Sequence, residues 1–409
     1  MKVLVKAYSW LINQRKNHSP NSDIWELRRH RLKRLPQIAS QIKNGTYQLS
    51  PVRIIEIKGK QTSLWTSSDS LVLKAITLKL EKKLKPQISK SCTHLKGHGG
   101  AKFAIRECLK KMRDYKYVMK SDVKSYYSSI DHTILYNQFC ELVREPYLRR
   151  IVWQYLKRTV EWGGTYKDIE RGISLGCPLS PLMAALYLKT LDEVMDRMQE
   201  KLAVYYTRFM DDWVVMTDSR HKLRRVVKTV NQVLNKLKVE KHPDKTYIGR
   251  IKDNGFKFLG YILRPEVKEV KEIKVNEVKE GKRKHKRLEP APDTLKRCQD
   301  KLIRLYERGG HESAGNYLKR WVSWVKGGVP EMDFGPYDIL RGKGQKAEHG
   351  VKKVGGGPSR TQGQGQRQRL KKPHVHACCL VTNDERCRNK KALEAHSRDL
   401  YVFSRIGVT

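Results

Sequence analysis

Three aspartates carry the strongest chemical signal in the sequence. In Tyr205-Tyr206-Thr207-Arg208-Phe209-Met210-Asp211-Asp212-Trp213-Val214-Val215-Met216, two adjacent carboxylates stand between stretches that read as two short apolar strands. Like charges at a hairpin tip repel, and partial burial makes both charged forms costlier. A bound divalent cation relieves both penalties. An exposed Asp-rich turn is the other reading of the pair taken alone, because Asp favours turns. Asp122 weighs against that reading. It sits in Met119-Lys120-Ser121-Asp122-Val123-Lys124-Ser125-Tyr126-Tyr127, at the end of another apolar strand and ahead of a basic, aromatic stretch. Two strands that meet in one sheet bring all three carboxylates to one point. Hard oxygen ligands of this kind suit Mg²⁺, with Mn²⁺ as a substitute. Two such ions about 4 Å apart activate a hydroxyl nucleophile and neutralise a leaving pyrophosphate.

The elements that must position these residues are legible from periodicity and punctuation. Residues 1–50 read as helical and basic, with Trp10, Leu11, Trp25 and Leu27 as packing points and a turn at Asn44-Gly45. Val52 to Ile57 reads as a strand. Residues 69–86 have helical periodicity through Leu71, Leu73, Ile76, Leu78 and Leu80, ended by Pro86. A second helix is expected from Ala101 to about Arg113, then a strand from Tyr117 towards Asp122. Residues 132–160 read as helical, with a turn at Gly163-Gly164. A long helix is expected from Pro181, capped by Ser180. A helix over 221–238, a strand from Phe256 to Leu263 and one or two helices over 292–326 complete the pattern. Together they make an α+β chain.

Charge narrows the partner. Lys and Arg number 85 against 42 Asp and Glu, a formal net charge of +43 spread along most of the chain. That distribution suits a long channel for a polyanion, nucleic acid first and an anionic membrane surface second. No apolar run is long enough to span a membrane. The N-terminus lacks a secretory pattern, and the eight cysteines are scattered rather than framed for disulfides. These features point to a reducing, cytoplasmic compartment. With 19 Tyr and 8 Trp the chain has rings on which bases can stack.

Several stretches carry a family resemblance. Asp122-Val123-Lys124-Ser125-Tyr126-Tyr127-Ser128-Ser129-Ile130-Asp131-His132 resembles the first catalytic motif of reverse transcriptases, most closely those of bacteria and group II introns. Gly172-Ile173-Ser174-Leu175-Gly176-Cys177-Pro178-Leu179-Ser180-Pro181 resembles their Gly-Leu-Pro-Gln-Gly-Ser-Pro-Leu-Ser-Pro motif, and Phe209-Met210-Asp211-Asp212 their aromatic-x-Asp-Asp signature. His242-Pro243-Asp244-Lys245-Thr246 and Phe256-Lys257-Phe258-Leu259-Gly260-Tyr261 are similar to the two motifs that follow. Their order and spacing agree over roughly residues 50–265.

The resemblance implies an RNA-directed DNA polymerase with a right-hand fold of fingers, antiparallel-sheet palm and helical thumb. It implies two Mg²⁺ ions, dNTPs, an RNA template and a nucleic-acid primer, and no membrane. Asp122 and Asp211 would bind the catalytic metal, with Asp212 alongside. Tyr127 falls where the family has its steric gate, the ring that excludes a ribose 2′-hydroxyl. A core tyrosine is the alternative there, since Tyr126 is adjacent and only one of the two can face the site. Gly176 would line the nucleotide and template pocket. Lys245 would approach the triphosphate, with a solvated surface lysine as the alternative. Phe258-Leu259-Gly260 would support the primer end. Residues 1–45 would form a basic N-terminal extension, 46–265 the fingers and palm, 266–328 a helical thumb whose run Lys282–Arg287 tracks the duplex, and 329–409 a flexible basic tail.

The sequence departs from the family pattern in places. The glutamine before the motif glycine is Leu175 here. The family's Arg-Pro-Leu and later Asp-Arg are absent, the stretch reading Lys58-Gly59-Lys60-Gln61-Thr62-Ser63-Leu64 and then Asp69-Ser70. Lys58 and Lys60 are the candidate triphosphate contacts, as point charges without a bidentate fork, with a solvated strand-end lysine as the equal alternative for each. Cys92, His94 and His98 fit no zinc spacing, and by the resemblance their segment approaches the template. His374, His376, Cys378, Cys379, Cys387 and His396 cluster in the tail without paired Cys-x-x-Cys motifs. Two other roles fit the same motifs: an RNA-binding maturase that assists intron folding, and a defence or retron-like polymerase with a dedicated noncoding RNA.

Overall fold

Near-continuous runs of buried residues over 117–121, 205–209 and 212–217 draw the central strands together, and the aspartates stand at their ends. The structure is a computed structural model that describes residues 1–57, 60–252, 255–265 and 288–328. They fall into two units, one built from Met1–Thr294 and the other containing Leu295–Lys326.

The first unit begins with helices α1 (Lys2–Gln14), α2 (Asp23–Arg29) and α3 (Arg31–Lys43). Leu4, Ala7, Leu11, Ile24, Leu27, Leu35 and Ile38 turn inward and join one continuous core with the elements that follow. The hairpin β1 (Val52–Ile57) and β2 (Lys60–Leu64) precedes α4 (Ser67–Leu84). Thr66 caps α4 by accepting from the Asp69 amide, and donates in turn to the Asp69 carboxylate at 2.7 Å, a reciprocal cap. Asp69 is buried and accepts from Tyr47 (2.8 Å) and from the Ser50 amide (3.1 Å). Arg15, just past α1, reaches across to Ser67 Oγ (2.7 Å), the Trp65 carbonyl (2.8 Å) and Ser70 Oγ (2.8 Å). That guanidinium pins the basic N-terminal helices to α4.

Next come α5 (Gly100–Lys111), β3 (Tyr117–Ser121), α6 (Tyr126–Ser129), α7 (His132–Leu142) and α8 (Pro146–Leu156). The helical reading of 132–160 is therefore two helices. Pro146 lacks an amide hydrogen and disfavours helix in the residue before it, so α7 stops short and α8 restarts on the proline. Gly163-Gly164 turns a hairpin, β4 (Thr159–Trp162) and β5 (Thr165–Asp168), which the sequence reading did not separate into strands. β4 pairs in parallel with β1, giving a sheet of order β2-β1-β4-β5.

Helices α9 (Ser180–Tyr187) and α10 (Lys189–Leu202) replace the single long helix expected from Pro181. Ser180 is not the cap. It is the first helical residue, and its hydroxyl lies against the Ser174 carbonyl (2.5 Å) and the Tyr155 hydroxyl (2.6 Å). The hairpin β6 (Tyr205–Phe209) and β7 (Asp212–Thr217) is followed by α11 (Arg220–Lys236) and β8 (Tyr247–Arg250). These strands form a sheet of order β6-β7-β3-β8 with every neighbour antiparallel, the sheet the resemblance expects in the palm. Helix α11 lays Leu223, Val226, Val230, Val233 and Leu234 on the core side and packs on β3 and β7.

The stretch 256–263 is a hairpin rather than one strand. β9 (Phe256–Phe258) and β10 (Tyr261–Leu263) are joined through Leu259 and Gly260, both with positive φ (47° and 85°), and β11 (Leu288–Pro290) extends the sheet. The second unit holds most of α12 (Pro292–Tyr306) and all of α13 (His311–Lys326), with Lys301 Nζ 5.6 Å from the centre of the Tyr317 ring. Lys58, the run 282–287 and the tail with its His and Cys cluster lie outside the described residues. No described helix is long and apolar enough to cross a membrane.

Arg15→Ala removes the donor that serves the Trp65 carbonyl and the Ser67 and Ser70 hydroxyls. Its expected cost is about 2–3 kcal/mol in urea denaturation followed by circular dichroism. A loss below about 0.5 kcal/mol would show that the N-terminal helices are held otherwise.

Candidate metal and nucleotide site

The site is assembled where two strands of the antiparallel sheet end together. The last β3–β7 pair is Ser121↔Trp213, so Asp122 and Asp212 lie one step beyond it on neighbouring strands. Asp211 stands in the two-residue turn that joins Phe209 to Asp212, next to Met210 in the left-handed region at φ 59°. The three carboxylates feel one another. Asp211 is raised above the usual carboxylate range by burial and by the charge of Asp122. Asp212 is pushed up to about 7, by burial first and then by Asp122 and Asp211, with Lys120 working the other way.

Cations already lean on this charge. Lys245 Nζ lies 2.6 Å from Asp122 Oδ2, and that contact raises the lysine further. Lys120 Nζ lies 3.7 Å from Asp212 Oδ1. Two oxygens, Asp122 Oδ1 and Asp212 Oδ1, are buried without a hydrogen-bond partner. Orphaned carboxylate oxygens beside a second raised carboxylate fit a hard divalent cation, which Asp122, Asp211 and Asp212 would hold. Among the described residues, no three His, Cys, Asp or Glu side chains already close into a finished cage.

The tight turn is held from beneath and from the side. Arg208 is fully buried; its Nε donates to Asp192 Oδ1 at 2.8 Å, its Nη2 to Asp192 Oδ2, and its Nη1 to the Met210 carbonyl at 2.7 Å. Tyr206 adds a hydroxyl to Asp192 at 2.7 Å. From the side, His94 Nδ1 accepts from the Met210 amide at 3.1 Å, and its Nε2 lies 3.1 Å from the Pro181 carbonyl. This pair of contacts selects the neutral Nε2–H tautomer, and burial followed by the Arg208 charge lowers His94 to about 4. Its neighbours follow the same plan: the Thr93 amide donates to the Arg208 carbonyl (2.8 Å), and His98 Nδ1 lies 3.0 Å from the Cys92 carbonyl. The segment braces the aspartate turn, and both ring nitrogens of His94 are engaged by backbone groups.

The remaining motifs gather round the same point. The 240–246 segment runs beside β3, with the His242 amide on the Asp122 carbonyl (2.8 Å) and Thr246 Oγ1 2.7 Å from Ser121 Oγ, which sets Lys245 over Asp122. Tyr126 is locked in the core by its hydroxyl on the Ala184 carbonyl (2.5 Å). Tyr127 is half-buried and raised to about 12 by burial and then by the charge of Asp211, so its ring is the available one of the two. Gly172 lies against the turn carrying Tyr127. A Cβ there would meet Ser128 Cα at 2.8 Å and the Tyr127 carbonyl at 2.9 Å, at a φ of +88°. Gly176 (φ +79°) sits where a Cβ would be 3.9 Å from the Ser63 carbonyl of β2, and Leu175 beside it is exposed. The Leu259 amide reaches the Asp212 carboxylate, bringing the β9–β10 turn to the site. Lys60 opens β2. Ser70, where the resemblance expects an arginine, is instead bonded by Arg15.

Sequence reasoning missed the Arg208–Asp192 pair, Lys120, the brace role of His94 and the Arg15 clamp. Only Arg208 left a signal, as a charged residue inside a strand otherwise reading as buried.

Comparison with known proteins finds a matching family model and similar intron-encoded proteins. A family model described as "Reverse transcriptase (RNA-dependent DNA polymerase)" matches residues 59–263. The group II intron-encoded protein LtrA of Lactococcus lactis subsp. cremoris is 22% identical over 213 residues, covering 51% of this chain and 35% of that protein. The protein assigned to intron 2 of COX1/OXI3 in Saccharomyces cerevisiae is 21% identical over 202 residues, covering 48% of this chain and 24% of that one. The chain thus matches about a third or less of these relatives' length. Among solved structures, apo telomerase from Candida tropicalis, truncated from its C-terminal domain, aligns with a TM-score of 0.42 at 14% identity over 57% of this chain and 59% of that one.

His94→Ala removes the acceptor for the Met210 amide. Amide hydrogen exchange of a peptide spanning 209–212 is expected to speed up by as much as about tenfold. His94→Asn, which keeps an acceptor near Nδ1, is expected to restore most of the protection. Equal exchange in wild type and His94→Ala would remove the brace from the account.

Proposed function

The chain belongs to the reverse transcriptase family, and from that premise we propose that it is an RNA-directed DNA polymerase extending a nucleic-acid primer with dNTPs along an RNA template. The observation that carries the reading is the meeting of Asp122, Asp211 and Asp212 at one sheet end, with Tyr127 and Lys245 beside them.

Divalent cations are general to this family, and hard carboxylate ligands favour Mg²⁺ here, two ions being the number that phosphoryl transfer uses. When bound, they supply a more acidic primer 3′-hydroxyl and charge neutralisation at the departing pyrophosphate. The protein's own work is positioning and electrostatics. The three aspartates hold the charge that the phosphates and cations must share. Arg208 and His94 keep the Met210 turn in one conformation, so the carboxylates need no reorganisation when substrate arrives. Lys245 acts at the triphosphate as a point charge and proton donor, its long side chain being more than half exposed. Tyr127 excludes a ribose 2′-hydroxyl and so selects deoxynucleotides. Gly176 leaves the backbone open for close approach by nucleotide and template, while the exposed Leu175 replaces a polar contact with an apolar one. The Leu259-Gly260 turn supports the primer end, and α12 with α13 belongs to the thumb.

In primer extension with Mg²⁺, dNTPs and an RNA template, Asp211→Ala is expected to lose at least about three orders of magnitude in rate. In the same assay Tyr127→Val is expected to incorporate ribonucleotides more readily than wild type. Wild-type extension by Asp211→Ala would sink the assignment.

A further inference from the structure

A groove of about 720 Å³ opens at the other end of the sheet from the aspartates. It lies between α11 and β8, and Tyr117, the first residue of β3, is part of its floor. Asp122 stands beyond the far end of the same strand, roughly 15 Å away at the rise of an extended chain. The walls are cationic. Arg220, Arg224 and Lys228 recur every fourth residue along α11, a step of about 6 Å, and Arg250 faces them from β8. Each of the four is exposed, and among the described residues no carboxylate lines the groove.

Several cations around the sheet are paired and those of the groove are not. Lys120, Lys245, Lys222 and Lys238 each have a carboxylate partner: Asp212, Asp122, Asp218 and Asp131. Arg220, Arg224, Lys228 and Arg250 have no ion pair among the described residues. Like charges gathered without counter-charge repel one another, and a row of phosphates would supply what the chain does not.

We propose that this groove is a second nucleic-acid site, which grips the backbone of an RNA duplex in a part of the template molecule that is not being copied. The choice of RNA rests on the polymerase reading above and on one further contact. Asn231, on the groove wall, spends its carbonyl on Lys241 Nζ at 2.6 Å, which leaves the amide hydrogens to meet a 2′-hydroxyl. A duplex fits better than a single strand. Single-strand sites are built on aromatic stacking platforms, whereas the apolar floor here is mostly aliphatic, with Leu223, Val227 and Ile248 beside Tyr117.

The test uses the full chain and a blunt, fluorescein-labelled RNA hairpin, which offers duplex backbone but no primer end. Arg224→Glu/Arg250→Glu alters two exposed side chains outside the catalytic site. It is expected to weaken hairpin binding by about tenfold or more. The slope of log affinity against log salt should fall by about 2, while a primer on a short unstructured template is extended at the wild-type rate. Unchanged affinity and slope would overturn the site. An equal loss of primer extension would overturn its separation from the substrate path. A DNA hairpin that binds as tightly and responds equally would overturn the RNA assignment. Failure of both proteins to extend any primer, with the hairpin result intact, would remove the polymerase reading and leave a duplex-binding groove standing.

Discussion

Mutual repulsion among three buried or half-buried carboxylates is the constraint around which the central part of this molecule is arranged. Asp211 and Asp212 are consecutive, and Asp122 is their neighbour on the adjoining strand. A chain free to relax would splay these charges into water. The sheet forbids that, because the register Ser121↔Trp213 carries Asp122 and Asp212 to the same end whatever their charges prefer. Asp211 and Asp212 are both raised as a result. Destabilised charge of this kind is what a divalent cation would relieve under the proposed function.

The neighbouring residues make sense as reactions to that constraint. Lys245 and Lys120 lean in from the surface and offset part of the repulsion. Arg208 cannot reach the solvent, and its pairing with Asp192 fixes the carbonyl of Met210 from below. A buried ion pair contributes little net stability against an apolar replacement, so its value here lies in holding one conformation of the turn. His94 takes the amide of the same residue. Donor and acceptor of Met210 are therefore both spent on side chains, the distant His94 and Arg208 two residues before it, which is how a non-glycine residue stays at φ 59°. The 171–176 loop depends on the same region in turn, through the Ile173 amide on the Tyr127 carbonyl at 2.7 Å.

Much of this was readable in advance where local rules govern. The aspartates, the hairpin around them, the periodicity of α11 and the strand leading to Asp122 all follow from patterns a few residues long. The family motifs added Tyr127, Gly176 and Lys245, which spacing alone could not have grouped. What stayed hidden depends on partners distant in sequence. Asp192 looks like one more acid on an amphipathic helix until Arg208 is placed beside it. His94 stands with Cys92 and His98 at a spacing that fits no zinc pattern, and only the fold reveals that both its nitrogens serve the backbone. Arg15 lies too far from Ser70 in the chain for any local rule to join them. At Pro146 and at Leu259-Gly260 the local turn chemistry overrides the apolar periodicity that runs through them.

Melting of the full chain and of Asp212→Asn at pH 8, in EDTA and in Mg²⁺, tests the central claim most directly. The folded-state value of Asp212 is about 7, above the unfolded value of about 4. Its burden on stability is therefore absent below about pH 4, grows as the pH rises and is complete above about pH 7. The account predicts that in EDTA at pH 8 the Asn variant melts above wild type, and that the difference shrinks towards pH 5. It also predicts that Mg²⁺ raises wild type more than the variant. A wild-type protein that melts as high as the variant in EDTA at pH 8, or a gap that Mg²⁺ leaves unchanged, would contradict it.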